Sequence, residues 1–342
     1  MADQFIKDAW YVAAGAGEVG GRPLGRTICG EPVVLFRTSG GNVAAISDFC
    51  PHRKYPLSRG EVVRGQIQCG YHGLRFDGEG RCVHIPSQEA IPEHGLNARR
   101  YPVVERHGLI FLWIGDDGAA DETRLPDWSW NTDPEWTAVY GYHYVKTSYL
   151  LLIDNLQDLS HLPFVHNVTF GGAGFAENPI SVEIVDEVVK SRREIPGGPQ
   201  SVLVRATGRF DHDGPIDRWQ TSEFYLPSYV LVLLGAGEVG GEVTPHHAVI
   251  NSVTPETQTT SHYFWSVARR FGLRDDAVSD LFRDITHRAF DEDQLVLEAQ
   301  QQAILEDRSG NPLAAVQADR AGLAARRLIA SRLRTAHLAA AE

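Results

Sequence analysis

The chain has 342 residues, 43% of them hydrophobic and 22% charged, with a formal net charge of −12. That length asks for two domains or one large one, the acidity excludes a nucleic-acid partner, and no apolar run reaches the roughly 18 residues of a membrane helix. The N-terminal segment lacks the basic region and apolar core of a secretory signal, and four cysteines do not make a disulfide framework in a chain this long, so the cytoplasm is the expected compartment.

From Trp10 to Ile114 short apolar runs alternate with glycine and proline, which predicts antiparallel β structure. The acidic segment "DDGAADETRLPDWSWNTDPEW" reads as a connector, "TAVYGYHYVKTSY" as a strand and "LLLIDNLQDLSH" as a helix. Further strands are expected over 180–268, and a helical tail from about Asp275. The expectation is an α+β chain: an N-terminal all-β domain over 1–118, then a domain over 119–342 with an antiparallel sheet flanked by helices.

The heptapeptide "GAGEVGG" occurs at Gly15–Gly21 and again at Gly235–Gly241, each satisfying G-x-G-x-x-G. A dinucleotide site needs a helix opening at the third glycine to receive the pyrophosphate. Both continuations carry proline and strand-like residues, so both copies read as turns between strands.

In "CPHRKYPLSRGEVVRGQIQCGYHG", Cys50 and His52 form one close pair and Cys69 and His72 another. A structural zinc site is one reading, but zinc sites with this ligand set pair like ligands, C-x₂₋₄-C and H-x₃₋₅-H. Here each loop offers one sulfur and one nitrogen, which suits a [2Fe–2S] cluster whose two irons each take like ligands from both loops. Pro51, Gly70 and Gly73 permit two tight, equivalent hairpin tips whose amides can point at sulfur. The pattern resembles a Rieske iron–sulfur domain. Cys29 and Cys82 read as buried apolar residues.

In "DNLQDLSHLPFVHN", His161 and His166 are five apart, which on an unbroken helix would turn them about 140° from each other. Pro163 is expected to end or kink the helix at Leu162, letting both histidines converge. Two histidines and a carboxylate make the facial triad of a non-haem Fe(II) oxygenase. Candidates for the carboxylate are Asp291, Glu292 and Asp293, which could equally solvate the outer face of a helix.

The whole chain, through "DAWYVAA", "PLGRTI", "CPHR", "CGYHGL", "DNLQDLSH" and "YFW", resembles the oxygenase component of Rieske non-haem iron oxygenases, in the branch of the vanillate and dicamba O-demethylases. The resemblance implies one [2Fe–2S] Rieske cluster on Cys50, His52, Cys69 and His72, and one mononuclear non-haem Fe(II) on His161, His166 and Asp293. It implies that Asp158 links a cluster histidine of one subunit to an iron histidine of the next, with Asn155 near the iron. It also implies a homotrimer, a small aromatic substrate with O₂, and electrons from a separate NAD(P)H-dependent flavin and iron–sulfur reductase. The implied reaction is O-demethylation of a methoxyarene acid such as vanillate, with methyl or ring hydroxylation as the alternative. A Rieske electron-transfer protein or a zinc-stabilised binding protein would be the non-oxygenase readings. Pocket walls are expected from "SEFYLPSYVLVLL", "HHAVINSVTP" and "SHYFWSVARR", with His246, His247, Asn251 or an arginine available to a substrate carboxylate.

Overall fold

The computed structural model describes residues 5–92, 95–167, 169 and 178–339. They divide into two compact units, one from Lys7–Asp127 with Thr254–Thr257, the other from Met1–Ile6, Trp128–Val253 and Gln258–Glu342. No helix of the described residues is long and apolar enough to cross a membrane.

The first unit holds eleven described strands: β1 Ala9–Gly15, β2 Leu24–Ile28, β3 Glu31–Arg37, β4 Val43–Ser47, β5 Glu61–Val63, β6 Gln66–Gln68, β7 Arg75–Phe76, β8 Cys82–His84, β9 Arg100–Tyr101, β10 Val103–Arg106 and β11 Leu109–Ile114. They form three small sheets, β1-β11-β10, β2-β3-β4-β9 and β5-β6-β7-β8. Phe36, Ile46, Ile67 and Phe76 pack into one core with Cys50, Cys69 and Cys82, and Cys29 is buried too. Burial pushes the Cys29 thiol up to about 12, as befits an inert apolar residue. At the start of β3, the Glu31 carboxylate accepts from Lys7 Nζ at 2.6 Å, Arg99 Nη1 at 2.7 Å and Tyr101 Oη at 2.9 Å. Burial alone would raise the Glu31 pKa, but Lys7, Tyr101 and Arg99 together hold it below its ordinary value.

The acidic connector folds into 3₁₀ turns at Asp117–Ala119, Glu122–Arg124 and Ser129–Asn131. Asp116 and Asp121 cap the first two by accepting backbone N–H groups.

The second unit is built on a seven-stranded antiparallel sheet, β12 Thr137–Val145, β13 Ile180–Val185, β14 Val188–Gly198, β15 Ile216–Tyr225, β16 Tyr229–Gly237, β17 Thr244–Pro255 and β18 Ser261–Arg269, in the order β12-β18-β17-β16-β15-β14-β13. Its described helices are α1 Tyr149–Gln157, α2 Leu162–Val165, α3 Val202–Ala206, α4 Asp276–Glu306 and α5 Arg320–Ala339. Ser148 and Asp275 cap α1 and α4. The buried positions of α4, from Phe282 through Thr286, Ala289, Phe290 and Asp293 to Leu297, recur at three- and four-residue steps, so one stripe faces inward. Neither glycine-rich heptapeptide opens an α-helix: the first runs from β1 into the single turn Ala16–Glu18, the second from the end of β16 into a hairpin.

Two local expectations are corrected. The helix expected to reach His161 stops at Gln157, and Asp158 adopts an extended backbone as its C-cap. Pro163 does not end that helix; it sits in the first turn of α2, where its missing N–H has no helical partner to lose. The Cys50 loop is not a hairpin tip either. It carries the chain from β4 toward β5, which belongs to a different sheet, whereas Cys69 does sit on a hairpin between β6 and β7.

Candidate active site

The two Cys–His loops nevertheless share one backbone plan. Cys50 N donates to Tyr55 O and Lys54 N returns to Cys50 O; Cys69 N donates to Leu74 O and Gly73 N returns to Cys69 O. The returning residue has a left-handed backbone in both, Lys54 at φ 59° and Gly73 at φ 72°. The repeat buries both thiols, at 1% and 2% exposure, and leaves His52 and His72 exposed with ring centroids 4.6 Å apart. Burial pushes the Cys50 thiol up to about 11; the His52 and Arg53 backbone N–H groups aimed at its sulfur oppose that, while the adjoining Cys69 thiol adds to it. Two adjacent buried thiols, with amides turned toward sulfur and two imidazoles side by side at the surface, fit a two-iron cluster with one sulfur-bound and one nitrogen-bound iron.

In the second unit, His161, His166 and Asp293 bring three ligand atoms to one point. His161 Nε2 and His166 Nε2 are 3.3 Å apart, and Asp293 Oδ1 lies 3.5 Å and 3.2 Å from them. Their other ring nitrogens are committed. His161 Nδ1 donates to the Asp158 carbonyl at 2.5 Å, and His166 Nδ1 donates to Glu292 Oε2 at 2.8 Å. With both rings neutral, each Nε2 lone pair faces Asp293, which makes the space between them a natural place for a cation. Ligand atoms about 2.1 Å from an ion and roughly 100° apart would be separated by such distances. Burial lowers the His161 pKa more than nearby Asp293 raises it. Burial acts the same way on His166, but Asp293 and Glu292 outweigh it, and its pKa rises.

The supporting contacts explain why these residues stand where they do. Asn155, in the last turn of α1, donates to Asp293 Oδ1 at 3.1 Å. The side chain of Asp158 accepts from Ser160 N at 2.7 Å, and buried Arg193 is its nearby counter-charge. Thr169 Oγ1 donates to Glu292 Oε1 at 2.6 Å, fixing the carboxylate that holds His166.

The three consecutive acids of α4 thus engage four histidines between them. Asp293 joins the triad, Glu292 orients His166, and Asp291 accepts from His143 Nε2 and pairs with His287 Nδ1, each at 3.1 Å. The His143–His287–Asp291 group resembles a second metal set, but Trp265 Nε1 donates to His143 Nδ1 at 3.0 Å. The His143 proton is then on Nε2, donated to Asp291, and that imidazole has no lone pair left for a cation. Sequence reasoning missed the task of Glu292 because a carboxylate bound to a ligand's back nitrogen leaves no spacing of its own.

The triad opens into a cavity of about 1100 Å³ of atom-free space, its open mouth included. Leu159, Leu203, Val232, Leu234, Val249 and Phe290 make it apolar. His246, His247 and Asn251 line it as expected, joined by Arg218 and Gln220 of β15. Among the described residues, β18 contributes no wall: all nine of its residues are buried, and Tyr263 supports the lining from behind, donating to Asn251 Oδ1 at 2.7 Å and packing on Phe290.

Residues 9–95 match the Rieske [2Fe-2S] domain, and residues 145–335 match the vanillate O-demethylase oxygenase C-terminal domain. The oxygenase component of dicamba O-demethylase from Stenotrophomonas maltophilia is 40% identical over 301 residues, 86% of this chain and 88% of that protein. The crystal structure of dicamba monooxygenase bound to 3,6-dichlorosalicylic acid superposes with a TM-score of 0.92 at 36% identity, covering 97% of this chain and 99% of that one. The structure of that enzyme with non-haem iron and dicamba gives 0.84 at 35% identity, covering 98% and 99%.

Proposed function

This chain belongs to the Rieske oxygenase family of the vanillate O-demethylase type, and from that premise we propose that it removes the methyl group of a methoxylated aromatic acid such as vanillate as formaldehyde. The reaction balances as methoxyarene, O₂, two electrons and two protons giving a phenol, formaldehyde and water. The observation that carries this reading is the pair of Nε2 lone pairs turned onto Asp293 at the wall of an apolar cavity. A pure electron carrier has no use for such a cavity.

In this reading Cys50 and Cys69 hold one iron of the cluster and His52 and His72 the other, over a domain of residues 1–118. His161, His166 and Asp293 hold a mononuclear Fe(II) in the domain of residues 119–342. When bound, these groups supply electron storage, O₂ activation and transfer of one oxygen atom to a C–H bond. The chain's own work is positional. The Asp158 carbonyl and Glu292 keep the Nδ1 protons of His161 and His166 away from the metal side, and Asn155 steadies the Asp293 oxygen that faces it. The apolar walls exclude water and hold the arene. The Asp158 carboxylate serves as the link to His72 of a neighbouring subunit in a head-to-tail homotrimer. A separate reductase delivers the electrons, and the cytoplasm is the working compartment.

The test is metal analysis, visible and EPR spectra before and after dithionite, and formaldehyde assay on methoxybenzoates with a matching reductase. The expected result is about three irons per chain, a Rieske-type EPR signal and formaldehyde in step with phenol. About two irons with the same signal and no formaldehyde would leave an electron carrier; a colourless zinc protein would sink both.

A further inference from the structure

Two of the cavity's polar groups, His246 and His247, are brought together by one irregularity in the sheet. Leu234 of β16 pairs with His247, but the next residue, Gly235, pairs with Pro245, so His246 is an extra residue in β17. In regular strands neighbouring side chains point to opposite faces; a bulge re-aims one of them. Here both imidazoles come together, with His246 Nδ1 2.7 Å from His247 Nδ1, and both line the cavity. His246 is 2% exposed, and its Nε2 has no hydrogen-bond partner among the described residues.

Two facing Nδ1 atoms need one proton between them, and a neutral imidazole carries one N–H. When His247 donates, the His246 proton is on Nε2, a buried donor with no acceptor among the described residues. Burial, with His247 and the nearby Arg209 charge adding to it, pushes the His246 pKa down to about 2, and burial pushes His247 down to about 3, so the pair is neutral and offers a donor rather than a charge.

The charge comes from β15. Arg218 lines the cavity at 7% exposure and, with Leu234 and His247, occupies the inner face of the sheet. β15 and β17 flank β16, about 10 Å apart. Among the described lining residues the other charged groups are Asp158 and Asp293, at the triad. Arg218 lies four residues along β15 from Ser222, whose hydroxyl donates to Leu156 O at the end of α1; that is about 13 Å of strand. An arene with an anion at one end and its oxidisable carbon at the other suits that direction.

We propose that Arg218 and His246, the latter oriented by His247, form the anion-binding end of the cavity and take the carboxylate or sulfonate of an aromatic substrate. This rests on the oxygenase reading given above, and the test separates the two. Calorimetry on the full-length iron-loaded protein, under anaerobic conditions, would use 4-methoxybenzoate, 4-methylbenzenesulfonate and neutral 4-methoxybenzamide. At least one anion is expected to bind roughly tenfold or more tighter than the amide, the scale of one charge-assisted hydrogen bond. Preference for the carboxylate alone or the sulfonate alone supports the subsite and says which anion it takes. Arg218→Met should erase the preference while leaving amide affinity within about threefold, and His246→Phe should weaken the anion by a smaller factor. A wild-type protein without the preference, or an Arg218→Met variant that keeps it, overturns the proposal. If Arg218→Met binds neither ligand, Arg218→Lys decides: a retained preference supports the subsite and a lost one overturns it. Formaldehyde release tracks the reaction alone, so either reading can fail while the other stands.

Discussion

The Cys–His loops and the His–His–Asp cluster use the same imidazole in opposite ways. In the first unit the thiols are buried and His52 and His72 lie in solvent; in the second, His166 and Asp293 are buried at 2% and 4% exposure and open onto an apolar cavity. One arrangement leaves a surface through which electrons can pass, and the other shields reactive chemistry from water. The loops are also built from 24 consecutive residues, Cys50–Gly73, whereas the cluster needs α1, α2 and the middle of α4, more than a hundred residues apart. A compact local motif tolerates change around it; a site assembled across the sequence depends on the sheet and helices that carry it.

The sharpest way to break the contrast is to remove one proposed ligand from each side. Asp293→Ala should lower formaldehyde formation by about a thousandfold or more while leaving the Rieske EPR signal intact, since it deletes a group the reaction cannot replace. Cys69→Ser should do the reverse to the spectrum, bleaching the visible band. Parallel EPR and formaldehyde assays check both, and a Rieske signal lost in Asp293→Ala would mean the two sites are not independent.

Next in size is Glu292→Ala, which frees the His166 ring. Back-side partners of this kind are worth about 10–100-fold in metal affinity or activity, so iron occupancy measured against added chelator should fall within that range. Glu292→Gln, which retains an acceptor for His166 Nδ1, should fall less.

Those effects show where the sequence was readable. The four residues of the loops, and His161 with His166, announce themselves because their spacing is local. Asp293 needed the family resemblance to be chosen over Asp291 and Glu292, since three adjacent acids on one helix point in three directions that composition does not reveal. Arg218 and the bulge at His246 were illegible for a different reason. A one-residue register shift between β16 and β17 is a property of strand pairing, and nothing in "TPHHAVINSV" dictates it. The misplaced helix end has a similar cause: the Pro163 ring fits a helix start as well as it opposes a helix interior, and the extended backbone of Asp158 decides between them.

A smaller effect concerns the first unit alone. Glu31→Gln should cost about 1–2 kcal/mol at neutral pH by weakening charge-assisted bonds from Lys7 and Arg99. The folded carboxylate titrates below its ordinary value of 4.5, so this contribution is present above that pH and disappears as pH falls through the lower, folded value. Thermal melts of the two proteins should therefore converge as the buffer is taken below about pH 4.5. A constant gap would assign the effect to packing instead.

Smallest is an expected absence of change. Anion affinity should stay level between pH 6 and 8, because His246 and His247 are already neutral there and Arg218, drawn down to about 10 by burial, is still charged. The affinity would be lost only as pH rises through the arginine's value. A steady decline from pH 6 to 8 in calorimetry would point to a protonated imidazole instead.

The bond that aims His161 has a genetic consequence. Its acceptor is the carbonyl of residue 158, part of the main chain, so it survives any side chain at that position. Position 158 therefore carries two separable traits: an aiming device that single substitutions do not delete, and a carboxylate that they can. Asp158→Asn, whose amide oxygen still accepts from Ser160 N, becomes the dissection of the carboxylate charge, whereas Asp158→Ala also removes that bond and loosens the turn that carries His161.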